Sequence, residues 1–160
     1  MLLRRCLTLL LTGAAITGAA LAQTTTTVTT TRELMYPPTG VASTETAQLN
    51  VTNTASNATS GTAASCTGTI AFLNASGATI GTATSFTVTT GQTTSVSLPF
   101  TKVGATGIRT EVRGVITVTL TSGTPCSLIS SFETYDSTTG ATHTYQSNGE
   151  IQGGGFGPGR

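Results

Sequence analysis

The residues of this chain that could do chemistry are few and scattered. Its single histidine, His143, stands near the C-terminal end with Asp136 a short way before it. Added to any of many serines, they supply the parts of a Ser-His-Asp hydrolase, in which a base activates a hydroxyl and a carboxylate orients the base. The G-x-S-x-G turn that exposes such a serine is absent, and a serine-rich chain assembles such triples by chance. Glu111, Glu133 and Asp136 would suit glycoside hydrolysis if their segments paired and held two acids across a cleft. Arg109 and Arg113 share the face of Glu111, which predicts a charge cluster instead, Arg109 or Arg113 with Glu133, fixing strand register on a solvent face. One histidine and dispersed carboxylates offer no metal-ligand spacing. The glycines from Gly153 to Gly159 lack the lysine of a phosphate cradle. No catalytic residue, no metal and no cofactor are therefore expected.

The remaining chemistry belongs to cysteine. Cys6 lies inside a segment that reads as a signal peptide, residues 1–22: Arg4 and Arg5, then an apolar run from Leu7 to Ile16, then Ala20-Leu21-Ala22. This is the charged, apolar and small-x-small order of an export signal. The run is short and broken by Thr and Gly, so it does not read as a membrane anchor, and no later stretch is apolar enough to span a bilayer. Removal of the signal leaves Cys66 and Cys126, which in an exported chain are most simply one disulfide. There is no C-x-x-C to indicate redox chemistry. The expected location is the periplasm or the extracellular space.

The elements that carry these residues are strands. Thr46–Asn53 alternates, with Ala47, Leu49 and Val51 inward and Gln48, Asn50 and Thr52 outward. Cys66–Leu73 places Cys66, Gly68, Ile70 and Phe72 on one face, and Asn74-Ala75-Ser76-Gly77 reads as a hairpin turn. Ile80, Phe86 and Val88 mark one or two strands between Thr79 and Val88. Val96, Leu98 and Phe100 mark the next. Arg109–Leu120 is the longest candidate, with Val112, Gly114, Ile116, Val118 and Leu120 on its apolar side. In the last hairpin Leu128 and Phe132 share the face of Cys126, whereas Glu133 and Tyr135 share the other. Asp136–Gly140 is its turn, and Ala141–Gln146 returns.

Composition agrees. Threonine supplies 39 of 160 residues and charged residues only 8%, against about 25% in ordinary domains. Threonine is β-branched and favours a pleated, half-buried surface, and no segment reads as a helix. After the signal, Arg32, Lys102, Arg109, Arg113 and Arg160 are outnumbered by one by Glu33, Glu45, Glu111, Glu133, Asp136 and Glu150. Such a chain has no field to draw nucleic acid or an anionic membrane. About eight short strands at near-regular spacing predict an all-β fold, an antiparallel β-sandwich with one disulfide, a closed barrel being the alternative. The expected domain spans residues 45–146. Before it come a Thr-rich leader and linker, 23–44, and after it a glycine-rich disordered tail, 147–160.

The order of these segments resembles a group of small exported bacterial β-sandwich proteins, mostly uncharacterised. It is carried by T-A-Q-L-N-V-T-N, the cysteine strand ending F-L-N-A-S-G, G-Q-T-T-S-V-S-L, R-T-E-V-R-G-V-I and P-C-S-L-I-S-S-F-E-T-Y-D-S-T-T-G-A-T. The resemblance covers residues 44–146. It implies an immunoglobulin-like sandwich bridged by Cys66 and Cys126, and it supplies no activity.

The functional expectation is a non-enzymatic secreted domain with a structural or surface-interaction role, one form being a subunit of an extracellular assembly. Self-association through residues 23–31, added to a neighbour's sheet edge, is the corresponding contact. The alternative is a carbohydrate- or peptide-binding module. For that reading the candidate surface is Glu133, Tyr135 and Tyr145 on the last hairpin. The identity of any protein or cell-surface partner is not legible.

Overall fold

The computed structural model describes residues 27–56 and 64–153. They form nine strands in two antiparallel sheets, with no cis peptide bond. The signal segment, residues 23–26 of the leader and 154–160 of the tail lie outside the described residues.

The first sheet has β1 (Thr29–Met35), β7 (Arg109–Thr121), β4 (Ser65–Asn74) and β5 (Thr79–Thr89) in that order. The short β2 (Thr39–Ala42) also pairs with β7, beyond the end of β1. The second sheet runs β6 (Thr93–Pro99), β3 (Glu45–Asn53), β8 (Cys126–Asp136) and β9 (Thr142–Gly153). These are two open sheets, and the barrel alternative is not adopted.

The alternation of side chains decides which face of each strand meets the other sheet. On β3, Ala47, Leu49 and Val51 are fully buried; on β7, so are Val112, Ile116 and Val118. Each Val, Leu or Ile among them contributes about 1.5–3 kcal/mol of transfer free energy, and alanine less. Leu49 of β3 packs directly over Gly114 of β7. A Cβ on Gly114 would stand 2.8 Å from the methyls of Leu49, so any larger residue there requires that buried side chain to shift. Phe132 sits at the centre, its ring 5.6 Å from that of Tyr36 and 6.3 Å from that of Phe72. Cys66 on β4 and Cys126 on β8 are bonded across the sandwich with Cα atoms 5.2 Å apart.

Three expectations are corrected. Ordered strands extend past both ends of the 45–146 span. β1 and β2 lie in the leader and linker, and β9 continues to Gly153. β1 escapes the apolar pattern because it is held by its ladder to β7 rather than by burial: Leu34 alone among its residues is not exposed. Secondly, β7 and β8 do not pair. The turn between them carries the chain from one sheet to the other, so alternation predicted both strands correctly but could not assign their sheets. Thirdly, the strand expected to reach Phe100 stops at Pro99, and Phe100–Lys102 forms one turn of 3-10 helix.

Tyr36 is the residue least expected in the core. It follows β1 and precedes Pro37-Pro38, yet it is 1% exposed, and its hydroxyl donates to Ser130 Oγ on β8 at 2.8 Å. Gln146 Nε2 on β9 donates to Thr39 Oγ1 on β2 at 2.9 Å. Both contacts tie the sheets along one side.

Candidate functional site

The outer face of the four-stranded sheet gathers the predicted surface residues. Glu133 on β8 lies directly opposite Tyr145 on β9 and, on its other side, opposite Gln48 on β3. Tyr135, two positions along β8 and so on the same face, is opposite Thr46 and Thr142. Tyr145 is 63% exposed, whereas Tyr135 is half-buried. The three residues are thus brought to one face, with Tyr145 the ring offered to solvent.

Beside them is a polar network that outward-facing positions on β3 did not by themselves disclose. Gln48 Nε2 donates to Glu133 Oε1 at 3.2 Å and to Asn50 Oδ1 at 2.9 Å. Asn50 Nδ2 donates to Glu133 Oε1 at 3.0 Å and to Ser131 Oγ at 3.2 Å. From edge strand β6, Ser97 Oγ donates to Gln48 Oε1 at 2.9 Å and Ser95 Oγ to Asn50 Oδ1 at 2.6 Å. The planes of two amides and a carboxylate are thereby locked across three strands. Next to this network Asn50, Thr52, Ile129, Ser131, Tyr145 and Ser147 line a shallow depression of about 310 Å³. Ile129 is itself exposed there.

The hydrolytic arrangements are not assembled. Glu111 and Arg113 stand on β7 in one sheet and Glu133 on β8 in the other, so neither a carboxylate pair nor the expected Arg–Glu cluster forms. Arg109 lies over Gly40, and Arg113 reaches Met35 Sδ at 3.9 Å. His143 does not meet Asp136. Its Nδ1 contacts Glu45 Oε1, and half of its side chain is exposed. Asp136 serves its turn: Oδ1 accepts from the amides of Thr138 and Thr139 at 2.9 and 2.7 Å and from Thr139 Oγ1 at 3.0 Å. These donors hold its carboxyl below the usual range.

Glu45 was not anticipated as the partner of His143. The register that brings β3 alongside the end of β8 has no local sequence signal. Burial alone would raise the Glu45 carboxyl. The Ala42 amide, His143 and the more distant Arg109 together draw it below its ordinary value. Among the described residues no three His, Cys, Asp or Glu side chains cluster to hold a metal.

The other broad face is different in kind. Across β1, β7, β4 and β5 the ladder aligns Thr31, Thr119, Thr67 and Thr87 in one row, and Glu33, Thr117, Thr69 and Ser85 in the next. Neighbouring residues within a row are about 4.8 Å apart, the spacing between strands. These two rows make a wall of hydroxyls and methyls with Glu33 as their charged residue, and Glu111 and Arg113 follow on the same face of β7.

Compared with protein-family models, curated proteins and solved structures, the chain matches none. What the coordinates establish is a class: an all-β, two-sheet domain with a buried disulfide, a bond of oxidising environments. Among the described residues no helix is long and apolar enough to cross a membrane.

Proposed function

We propose that this chain is a non-enzymatic exported domain with a structural or surface-interaction role in the periplasm or outside the cell. The observation that carries the reading is the hydroxyl wall of the five-stranded sheet: two aligned rows of Thr and Ser with one charged residue among them. Rows of this kind stay hydrated through hydroxyls rather than charge and present many weak contacts to a neighbour. A hydrolytic activity abolished by His143→Ala would contradict the non-enzymatic part.

An immunoglobulin-like arrangement is part of the proposal. Its support is the interlock of four strands, β3 with β6 in one sheet and β4 with β7 in the other. The bridge departs from the antibody pattern, in which it joins strands B and F: here it joins β4 to β8.

Assembly through residues 23–31 is retained as one form of the role. Residues 29–31 already pair with β7, so this contact takes the form of strand exchange, β1 leaving its own β7 for a neighbour's. The edge strands β5 and β6 carry no charged residue to discourage further pairing. Size-exclusion chromatography and electron microscopy, with and without residues 23–31, test the point. Oligomers that disappear on deletion support exchange, and a strict monomer in both preparations removes it.

A second reading, a carbohydrate- or peptide-binding module, is favoured by one specific observation, the exposed Tyr145 beside the ordered Glu133–Asn50–Gln48 network.

A further inference from the structure

We propose that the outer face of the four-stranded sheet binds a neutral polysaccharide, with Tyr145 as the stacking surface and the Glu133–Asn50 pair as the hydrogen-bonding anchor. The proposal deepens the binding-module reading and rests on it.

Three independent features converge. Tyr145 is the one exposed aromatic residue among the described residues, and Ile129 stands exposed in the same depression. A sugar ring has one face of C–H groups, and a flat aromatic surface of this kind removes that face from water. The acceptors beside it are already ordered. Glu133 Oε1 accepts hydrogen bonds from both Gln48 and Asn50, while Ser95 and Ser97 fix the amide orientations from the next strand. A ligand meeting them does not bear the entropy of freezing those rotamers. No interaction occupies Glu133 Oε2 among the described residues, and a carboxylate oxygen accepts from sugar hydroxyls as a charge-assisted partner.

Charge selects the ligand. β3, β6, β8 and β9 contain no Lys or Arg, and Glu133 sits in the middle of the face. Uronic-acid and sulfated polymers, phosphates and nucleic acids meet a carboxylate with no compensating cation. A neutral glycan meets hydroxyls, amides and a ring. A depression of about 310 Å³ is at the small end for ligand sites, so few sugar units are engaged at once. Binding is correspondingly weak per site and gains from a repeating ligand.

The test is retention of the purified exported chain on insoluble neutral polysaccharides (cellulose, xylan, a β-1,3-glucan, starch). Polygalacturonate, alginate, a random peptide resin and intact cell-wall preparations serve as comparators. At least one neutral polymer is expected to retain the protein. Tyr145→Ala should weaken that retention at least tenfold, and Tyr145→Phe, which keeps the ring, should leave it within about threefold. Glu133→Ala should also weaken it. Circular dichroism and thermal melting of each variant separate loss of binding from loss of fold, because Tyr145 is exposed. Retention only by anionic polymers or by peptide overturns the proposal, as does retention indifferent to Tyr145. Binding to cell walls without binding to any neutral polymer overturns it while leaving the surface-interaction reading intact. If the chain neither binds a surface nor self-associates, both fall.

Discussion

Glu45 holds two partners at once: one carboxylate oxygen contacts His143 Nδ1 on β9, and the other accepts from the Ala42 amide at 2.7 Å. It thereby closes the turn between β2 and β3 and ties down the start of β9. The carboxyl gives up its proton more readily folded than unfolded, because its partners outweigh the burial. Its contribution is therefore complete above the ordinary value, near 4.5, and is lost as pH falls through the lower folded value. Urea midpoints measured from pH 7 to pH 3 should owe no loss to Glu45 down to about pH 4.5 and decline below it. Glu45→Gln should lower the midpoint at pH 7 and give a shallower decline. Asp136, also held below its usual range by Thr138 and Thr139, acts in the same direction, so Asp136→Asn is the control. An acid decline in Glu45→Gln as steep as that of the parent protein would refute the assignment.

Thr134 presents the opposite situation. It is 1% exposed, on the inner face of β8, and its hydroxyl has no hydrogen-bond partner among the described residues. A buried hydroxyl without a partner costs roughly 1–3 kcal/mol. Thr134→Val keeps the shape and removes the oxygen. Denaturant unfolding should show a gain of about 1–2 kcal/mol, whereas a destabilised variant would reveal a bond that the hydroxyl makes.

The disulfide joins residues 60 apart in sequence. Chain-entropy arguments assign about 4 kcal/mol to closing a loop of that length, a large share of the 5–15 kcal/mol typical of a whole domain. The double variant Cys66→Ala, Cys126→Ala should unfold at a much lower urea concentration than the oxidised protein. Reduction with dithiothreitol should move the parent midpoint the same way. Equal midpoints for oxidised and reduced protein would show that the unfolded chain is not the state being restrained.

Much of the fold was legible because β3, β4, β7 and β8 alternate cleanly. Leu49, Ile70, Ile116 and Phe132 could be placed in the core from their spacing, and Cys66 and Cys126 from sharing the faces of those residues. Alternation orients a strand's two faces but does not say which sheet the strand joins. That is why Glu111 and Glu133 could be imagined together although they stand in different sheets. β1 was illegible for another reason. Its first five residues are hydrophilic on both faces, and the ladder to β7 that holds them leaves no mark in side-chain pattern. Tyr36 shows a third reason: among prolines it reads as a linker residue, and only the packing of rings around Phe132 makes it core. At the candidate surface Glu133, Tyr135 and Tyr145 were legible as one face of a hairpin. The Gln48–Asn50 network depends on the pairing of β3 between β6 and β8, a long-range register that no short segment encodes.

The bridge between the two sheets also has a mechanical meaning. β5, β6 and β7 and most of β4 lie between Cys66 and Cys126, so a force applied at the chain ends bypasses them through one covalent link. Only β1 to β3, β8 beyond Cys126 and β9 are free to peel away. About 200 Å of contour, at roughly 3.4 Å per residue, is withheld from extension. Placed in series with its neighbours, the oxidised domain would extend only through its two flanks, and reduction would release the length of the closed loop as well.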